Sequence, residues 1–297
     1  MADYVAAYKL LHPTIEVYSE RLKALLFDIA RNKKIHVHAI EARAKAIDSF
    51  AEKIARPGRS YKDPLSDITD LCGLRVIVYY QEDVDAFCAA IRSELQVDDA
   101  HSVDKRAELK SDQFGYISVH LVCQLSKQRS SLVEWQPYAT LNAEIQVRTV
   151  LQHAWASISH ALQYKSAADV PGQFSRKLSR LAGLLELSDE QFSELRIESQ
   201  TLRSVVSASL GKNDLNVDVD SIAIAEFLDS SSVARNIGDA ARVAGLQVSG
   251  DNHHNYQILV VCQGLGLNKL DAVNNSLAAF LGSAPMFFQR FSKLRKL

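Results

Sequence analysis

The chain has 297 residues, 47% hydrophobic and 23% charged, the profile of a globular protein with room for one large domain or two ordinary ones. Thirty-four Lys and Arg nearly balance thirty-five Asp and Glu, a net charge of −1, so no global charge directs it to nucleic acid or an acidic membrane, and any anion site is local. Its apolar runs, such as Gln257–Leu267, fall short of the roughly 20 residues that span a bilayer, and the acid-bearing start Met1-Ala2-Asp3-Tyr4 does not read as a secretory signal. No membrane span and a cytoplasmic location are therefore expected.

Along the chain, Tyr18, Leu22, Leu25, Leu26 and Ile29 recur at helical spacing. A second helical register is expected from about His38 to Ile54, ending before Arg56-Pro57-Gly58. The run Leu74–Tyr80 is β-branched and aromatic and reads as a strand; Val84, Phe87, Cys88, Ile91 and Leu95 then mark an amphipathic helix. Further strands are expected at about Ser118–Leu125 and Asn142–Thr149, joined by a turn-rich segment with Trp135, Pro137 and Tyr138. From Val150 the pattern is helical through Leu151, Trp155, Ile158 and Leu162, breaks at Asp169-Val170-Pro171-Gly172 and resumes through Leu178, Leu181 and Leu185. Ser188-Asp189-Glu190-Gln191 has the form of a capping box that starts another helix. The polar, turn-prone Gly211-Lys212-Asn213-Asp214 is the expected linker, dividing the chain into 1–210 and 211–297. Beyond it, helical stretches near Ile222–Leu228, Ala234–Ala244 and Leu270–Leu281 and a strand-like Tyr256–Cys262 suggest a small α+β accessory domain. Cys72, Cys88, Cys123 and Cys262 stand far apart in apolar surroundings and read as buried free thiols.

Several polar groups interrupt this framework. Arg43, Lys45 and Lys53 fall on the expected second helix, where an eight-residue step brings Lys45 and Lys53 within about 80° of each other. That face either grips a polyphosphate or is a solvated surface laced with Glu41, Asp48 and Glu52. Asp70, at the entrance of an apolar strand and followed by Gly73, either holds a hydrated Mg²⁺ or caps a turn. Arg75, inside that strand, needs a carboxylate, a phosphate or an aromatic base face as partner. Strict alternation puts Glu144, Gln146 and Arg148 on one face of their strand, and Tyr116, Ser118 and His120 on one face of another. The first set suits a nucleotide phosphate and metal, the second a stacked base with a phosphate or sugar contact; each is also compatible with an exposed sheet face.

Taken together, Arg43-Ala-Lys45 with Lys53, Asp70-Leu-Cys-Gly-Leu-Arg75-Val, Gly115-Tyr116-Ile-Ser118-Val-His120 and Glu144-Ile-Gln146-Val-Arg148-Thr149, followed by a Trp-bearing helix, resemble in order and spacing the synthetase domain of RelA/SpoT proteins. The helix ending in His160-Ala-Leu-Gln-Tyr164-Lys165 resembles that of the small alarmone synthetases, and the chain lacks the His-Asp dipeptide of the family's hydrolase. The resemblance implies an α+β, nucleotidyltransferase-like domain with a mixed sheet flanked by helices. It also implies transfer of pyrophosphate from ATP to the 3′-hydroxyl of GTP or GDP, making (p)ppGpp with Mg²⁺ as cofactor. Residue by residue, it implies that Arg43 and Arg75 sandwich adenine while Lys45 and Lys53 hold the ATP phosphates. Asp70 and Glu144 position the metal, with Glu144 also taking the hydroxyl proton. Tyr116 stacks the acceptor base, with His120, Gln146 and Arg148 around it.

The run Lys110-Ser-Asp-Gln-Phe-Gly115-Tyr116 departs from the family, whose members carry basic residues and an Asn or similar residue just before the Gly-Tyr. Lys105, Arg106 and Lys110 are the nearby substitutes. An adenine nucleotide or the 3′ end of tRNA is therefore the alternative acceptor. An inactive nucleotide-binding or partner-docking module is the alternative class, and a second copy or a regulatory protein on residues 211–297 is the expected further partner. The pyrophosphokinase reading, with any acceptor, requires Asp70 and Glu144 to converge.

Overall fold

The computed structural model describes residues 3–108, 118–162, 172–248 and 255–294. They form two compact units, Met1–Ser193 and Glu194–Leu297.

In the first unit, helix α1 (Tyr4–Asn32) starts at Asp3, whose side chain accepts from the Ala6 amide at 3.0 Å. It buries Tyr8, Ile15, Tyr18, Leu22, Leu26 and Ile29, one stripe at steps of three, four and seven. The stripe packs on a five-stranded sheet ordered β1 (Val37–Ala44), β2 (Cys72–Val78), β5 (Ala143–Thr149), β4 (Val119–Leu125), β3 (Leu95–Asp104). The central pair β2 and β5 is parallel and every other pairing antiparallel. Helix α4 (Gln81–Glu94) follows β2 and buries Val84, Phe87 and Ile91. Short helices α2 (Ile47–Ile54), α3 (Pro64–Asp67), α5 (Lys105–Glu108) and α6 (Lys127–Ser130) and a 3₁₀ turn at Gln136–Tyr138 fill the connections. This mixed sheet flanked by helices is the α+β class expected for the synthetase segment.

The sheet has one apolar face and one polar face. Leu74 and Val76 on β2, Ile145 and Val147 on β5, and Leu121 and Cys123 on β4 are buried in the core with α1 and α4. The alternate positions Gly73, Arg75, Glu144, Gln146 and His120 are only partly covered.

Four expectations are corrected. The segment around Arg43 is strand β1, not helix, and Lys53 lies on a separate helix, α2. Val-His-Ala-Ile-Glu-Ala-Arg-Ala is rich in helix formers, yet Ile40, Ala42 and Ala44 turn inward and Glu41 and Arg43 outward once β1 pairs with β2. Tertiary pairing outweighs local propensity there. Strand β3 was not anticipated, because its acid-rich Leu-Gln-Val-Asp-Asp-Ala-His-Ser-Val-Asp sits at the sheet edge with a register shift between Asp98 and Val103.

The capping box at Ser188 starts no helix, since α8 runs unbroken over Gly172–Gly211 after α7 (Val150–Ala161). Ser188 Oγ instead donates back to the Leu184 carbonyl at 2.7 Å. Asp189, 4% exposed, accepts from the Thr149 hydroxyl at 2.7 Å. Thr149 is the N-cap of α7, in a reciprocal capping box with Gln152. Burial pushes the Asp189 pKa up to about 6, against the pull of the Thr149 hydrogen bond. Because this acid is raised above its unfolded value, the fold favours its protonated form, and its contribution to stability falls as pH rises through about 6. Asp189→Asn removes that penalty. The variant is expected to gain on the order of 2–3 kcal/mol over wild type at pH 8 and little at pH 4, read by urea denaturation at both values; equal differences at the two pH values would contradict it.

The second unit is helical: α9 (Ser221–Ser230), α10 (Ser232–Val243), α11 (Asn255–Gly264), α12 (Leu270–Leu281) and α13 (Ala284–Leu294). Its core joins Val206, Ile224, Phe227, Cys262, Leu270 and Val273. The strand-like Tyr256–Cys262 is part of helix α11, so the accessory region is α rather than α+β. With no strand beside it among the described residues of this unit, its β-branched run winds so that Ile258 and Cys262, one turn apart, meet the core together. A single bridge, Asp218 to Lys269, is the unit's only β feature among the described residues. Before it, α8 ends at Gly211 and the chain turns through Asn213 at φ 59°, a left-handed helix terminus. All four cysteines are buried and free. Among the described residues no helix is long and apolar enough to cross a membrane.

Candidate active site

A cleft of about 270 Å³ opens on the polar face of the sheet, lined by Arg43, Asp70, Gly73, Arg75, Glu144 and Gln146, with Glu41 at its side. The parallel register aligns Gly73 with Glu144 and Arg75 with Gln146, while the antiparallel register aligns Arg43 with Gly73 and Glu41 with Arg75. Strand pairing alone therefore gathers side chains that lie a hundred residues apart in sequence.

Asp70 stands at the entrance to β2. Lys45 Nζ donates to its Oδ2 at 2.7 Å and Lys53 Nζ to its Oδ1 at 2.8 Å. Lys45 is fixed from its backbone: its amide donates to the Leu71 carbonyl at 2.9 Å, and its carbonyl accepts from the Tyr8 hydroxyl at 2.6 Å. Lys53 reaches the same carboxylate from α2, which is seated by Phe50 stacked on Tyr8 at 4.3 Å between ring centroids. Burial pushes the Asp70 pKa up, but the two lysine hydrogen bonds outweigh it and hold the carboxyl below the usual range. The two lysines thus converge, through a strand end and a separate helix and not through one helical face.

Glu144, paired on β5 with Gly73 of β2, is held by Gln146 Nε2 at 2.8 Å and His120 Nδ1 at 3.2 Å, both on Oε1. Burial raises its pKa and so does the nearby Asp70 charge, yet hydrogen bonds from His120 and Gln146 prevail and lower it. Arg43 lies along Gly73, where a Cβ would meet its Cγ and Nε at 3.8 Å. Arg75 faces Glu41 at 3.4 Å.

One expected member stands apart, and one lies outside the described residues. Arg148 continues the alternation of Glu144 and Gln146 but is only 3% exposed, and its charge helps to depress the pKa of His153 on α7 after burial has lowered it; it is covered near the start of that helix and does not line the cleft. Tyr116, with Gly115 and Lys110, lies outside the described residues. Of the basic residues before it, Lys105 pairs with Glu108, and Arg106 is bound by Asp104 at 2.7 Å and Asp85 at 2.8 Å. On a helix Glu41 belongs to the solvated alternative; its place opposite Arg75 is legible only when β1 is recognised as a strand, through the alternation Ile40, Ala42, Ala44 against Glu41, Arg43.

Among the described residues no group of three or more His, Cys, Asp or Glu is arranged to hold a metal ion. Asp70 and Glu144, hard oxygen donors lining one cleft, instead fit a cation such as Mg²⁺, which takes one or two carboxylates and completes its shell with phosphate oxygens and water.

Paired carboxylates, two lysines and two arginines on the open face of a small mixed sheet define a nucleotidyltransferase-like domain for phosphoryl-group chemistry. Residues 42–169 match the family described as "Region found in RelA / SpoT proteins", and this segment is a RelA/SpoT-type domain. The chain is 27% identical over 161 residues to the GTP pyrophosphokinase YwaC of Bacillus subtilis, covering 53% of this chain and 73% of that protein. It is likewise 27% identical over 171 residues to YjbM, a GTP pyrophosphokinase of the same organism, covering 58% and 77%. The structure of small alarmone synthetase 1 from Bacillus subtilis superimposes with a TM-score of 0.54 at 25% identity, over 66% of this chain and 99% of that one. The same synthetase bound to its product pppGpp gives 0.51 at 25% identity, over 66% and 97%.

Proposed function

We propose that this protein is a nucleotide pyrophosphokinase that transfers the β,γ-pyrophosphate of ATP to the 3′-hydroxyl of GTP or GDP, forming (p)ppGpp and releasing AMP. The observation that carries it is the convergence of Asp70 and Glu144 on one cleft with Lys45, Lys53, Arg43 and Arg75 around them. The related synthetase that holds pppGpp, and the names of the two Bacillus relatives, support the choice of acceptor.

In this reading the adenine enters between Arg43 and Arg75, attracted by two guanidinium planes. The phosphates draw Lys45 and Lys53 towards them from Asp70. Asp70 and Glu144 would hold Mg²⁺, which would supply charge neutralisation at the pyrophosphoryl group being transferred. Glu144 accepts the proton as the acceptor 3′-oxygen bonds to the β-phosphorus and the bond to the bridging α,β-oxygen breaks. His120 and Gln146, both on Oε1 of Glu144, keep that carboxylate ionised and aimed, and Tyr116 stacks the acceptor base. Residues 1–210 carry this chemistry in the cytoplasm, where both nucleotides are found. Residues 211–297 are assigned to docking a second copy or a regulatory protein, supported by Tyr256, Leu265, Met286 and Phe287, each more than half exposed.

Incubation with ATP, Mg²⁺ and GTP, GDP, an adenine nucleotide or tRNA in turn, followed by AMP release, tests the reading. AMP is expected with GTP or GDP. Release with tRNA alone, with a steep fall as salt rises, would replace the acceptor. The ion pairs already occupying Lys105 and Arg106 favour a free nucleotide. No AMP with any acceptor would leave only the inactive binding module.

A further inference from the structure

We propose that Glu41 reads the exocyclic 6-amino group of the donor purine and so selects ATP over donors that carry a 6-oxo group. This rests on the adenine position given above and extends it to base specificity.

The β1–β2 register makes a four-cornered frame on the polar face. Glu41 stands opposite Arg75, and Arg43 opposite Gly73. The two arginines therefore occupy one diagonal, and Gly73 and Glu41 the other. Diagonal neighbours in an antiparallel pair stand roughly 7–8 Å apart, about twice the ~3.5 Å contact distance of a stacked plane, so a flat base fits between the guanidiniums. Its long axis then runs along the second diagonal. At one end Gly73 leaves the floor open: a Cβ there would add bulk 3.8 Å from the Arg43 side chain. At the other end the slot closes on Glu41, which lines the cleft.

A carboxylate is an acceptor only. It can take a hydrogen bond from the amino group of adenine and is repelled by the carbonyl oxygen that guanine and hypoxanthine carry at the same position. Glu41 is not locked elsewhere by its neighbour, since its contact with Arg75 is 3.4 Å, well beyond the roughly 2.7–2.9 Å of a firm charge-assisted bond. Its side chain is 51% exposed and Arg75's 37%, so an arriving base meets both without displacing core residues. Lys45, Lys53, Asp70 and Glu144 surround the phosphate and reaction end of the cleft and supply no base discrimination, which leaves Glu41 as the acid of the cleft not committed to that end.

The test compares ATP with ITP, which carries a 6-oxo group in place of the amine and a hydrogen on N1, at a fixed saturating GDP concentration, following AMP against IMP release in wild type, Glu41→Ala and Glu41→Gln. Wild type is expected to prefer ATP by about ten- to a hundredfold in kcat/KM, the scale of one hydrogen bond to a charged group. Glu41→Ala is expected to lower kcat/KM for ATP through KM and to raise that for ITP, whose 6-oxo group no longer meets a carboxylate, so that the ATP:ITP ratio falls towards one; Glu41→Gln, which keeps a carbonyl acceptor, is expected to restore part of the preference. Parallel loss with both donors would show that Glu41 only orients Arg75 and would overturn the proposal, as would an unchanged ATP:ITP ratio in Glu41→Ala. Calorimetric binding of non-hydrolysable ATP and ITP analogues reads the same ratio without turnover, so an inert wild type, which defeats the pyrophosphokinase reading, is told apart from a Glu41 without base preference, which defeats this one.

Discussion

Asp70→Asn is expected to lower the rate of AMP formation on the order of 10³-fold, the scale for removing a charge that holds a catalytic cation and its phosphates. Asparagine preserves the size of the side chain but not its charge, so the ammonium groups of Lys45 and Lys53, now 2.7 and 2.8 Å from opposite oxygens of one carboxylate, lose their common anion. The cost to the fold is expected to be about 1–3 kcal/mol, the range for hydrogen bonds to a charged group, because the site is partly open to water. It is also pH-dependent. Asp70 has a depressed pKa, so its stabilising contribution is fully present above the ordinary carboxylate range and is lost as pH falls through the lowered value. Denaturation of both proteins should therefore differ at pH 7 and converge in strong acid. Turnover within a few-fold of wild type, with near-ultraviolet circular dichroism confirming a native fold, would remove Asp70 from the reaction.

Glu144→Gln should reduce kcat by about 10²–10⁴-fold, the contribution of a positioned general base. The amide keeps a carbonyl oxygen for Gln146 but cannot accept the hydroxyl proton, and it no longer offers His120 the carboxylate it faces at 3.2 Å. In wild type, lowering of the Glu144 pKa by His120 and Gln146, against burial and the Asp70 charge, keeps this carboxylate, the proposed base, ionised at neutral pH. The kcat/KM profile should fall only below the ordinary carboxylate range, and the part of that acidic limb due to Glu144 should vanish in Glu144→Gln, leaving the fall caused by protonation of Asp70. An acidic limb unchanged from wild type would assign the base to another group.

Much of this site was legible before any coordinates. Asp70 stands at the entrance of an apolar strand and Arg75 and Glu144 alternate with buried apolar residues on theirs, and an unexplained charge in such a run requires a partner. Period-2 alternation placed Glu144 and Gln146 on one face correctly, because that rule follows from the pleat. It failed in effect at Arg148, which obeys the alternation and is nonetheless covered: alternation says which face a residue takes and nothing about what later packs on that face. Around Arg43 the order of motifs survived a mistaken helix, since Lys45 and Lys53 meet at Asp70 by a route that helical geometry did not supply. Ser188 and Asp189 look like a helix start in any local window, and only the burial of Asp189 against Thr149 shows why α8 passes through them.

The sequence by itself determined which residues had to be inside, which strands were two-faced, and which charged groups were too costly to be there without a partner, because burial and periodicity are properties of the local chain. Tertiary structure alone decided the strand order, with β2 beside β5, and hence the meeting of Asp70 with Glu144 and of Glu41 with Arg75. Those pairings are set by long-range register between segments up to about seventy residues apart, and a local pattern carries no record of which strand its neighbour will be.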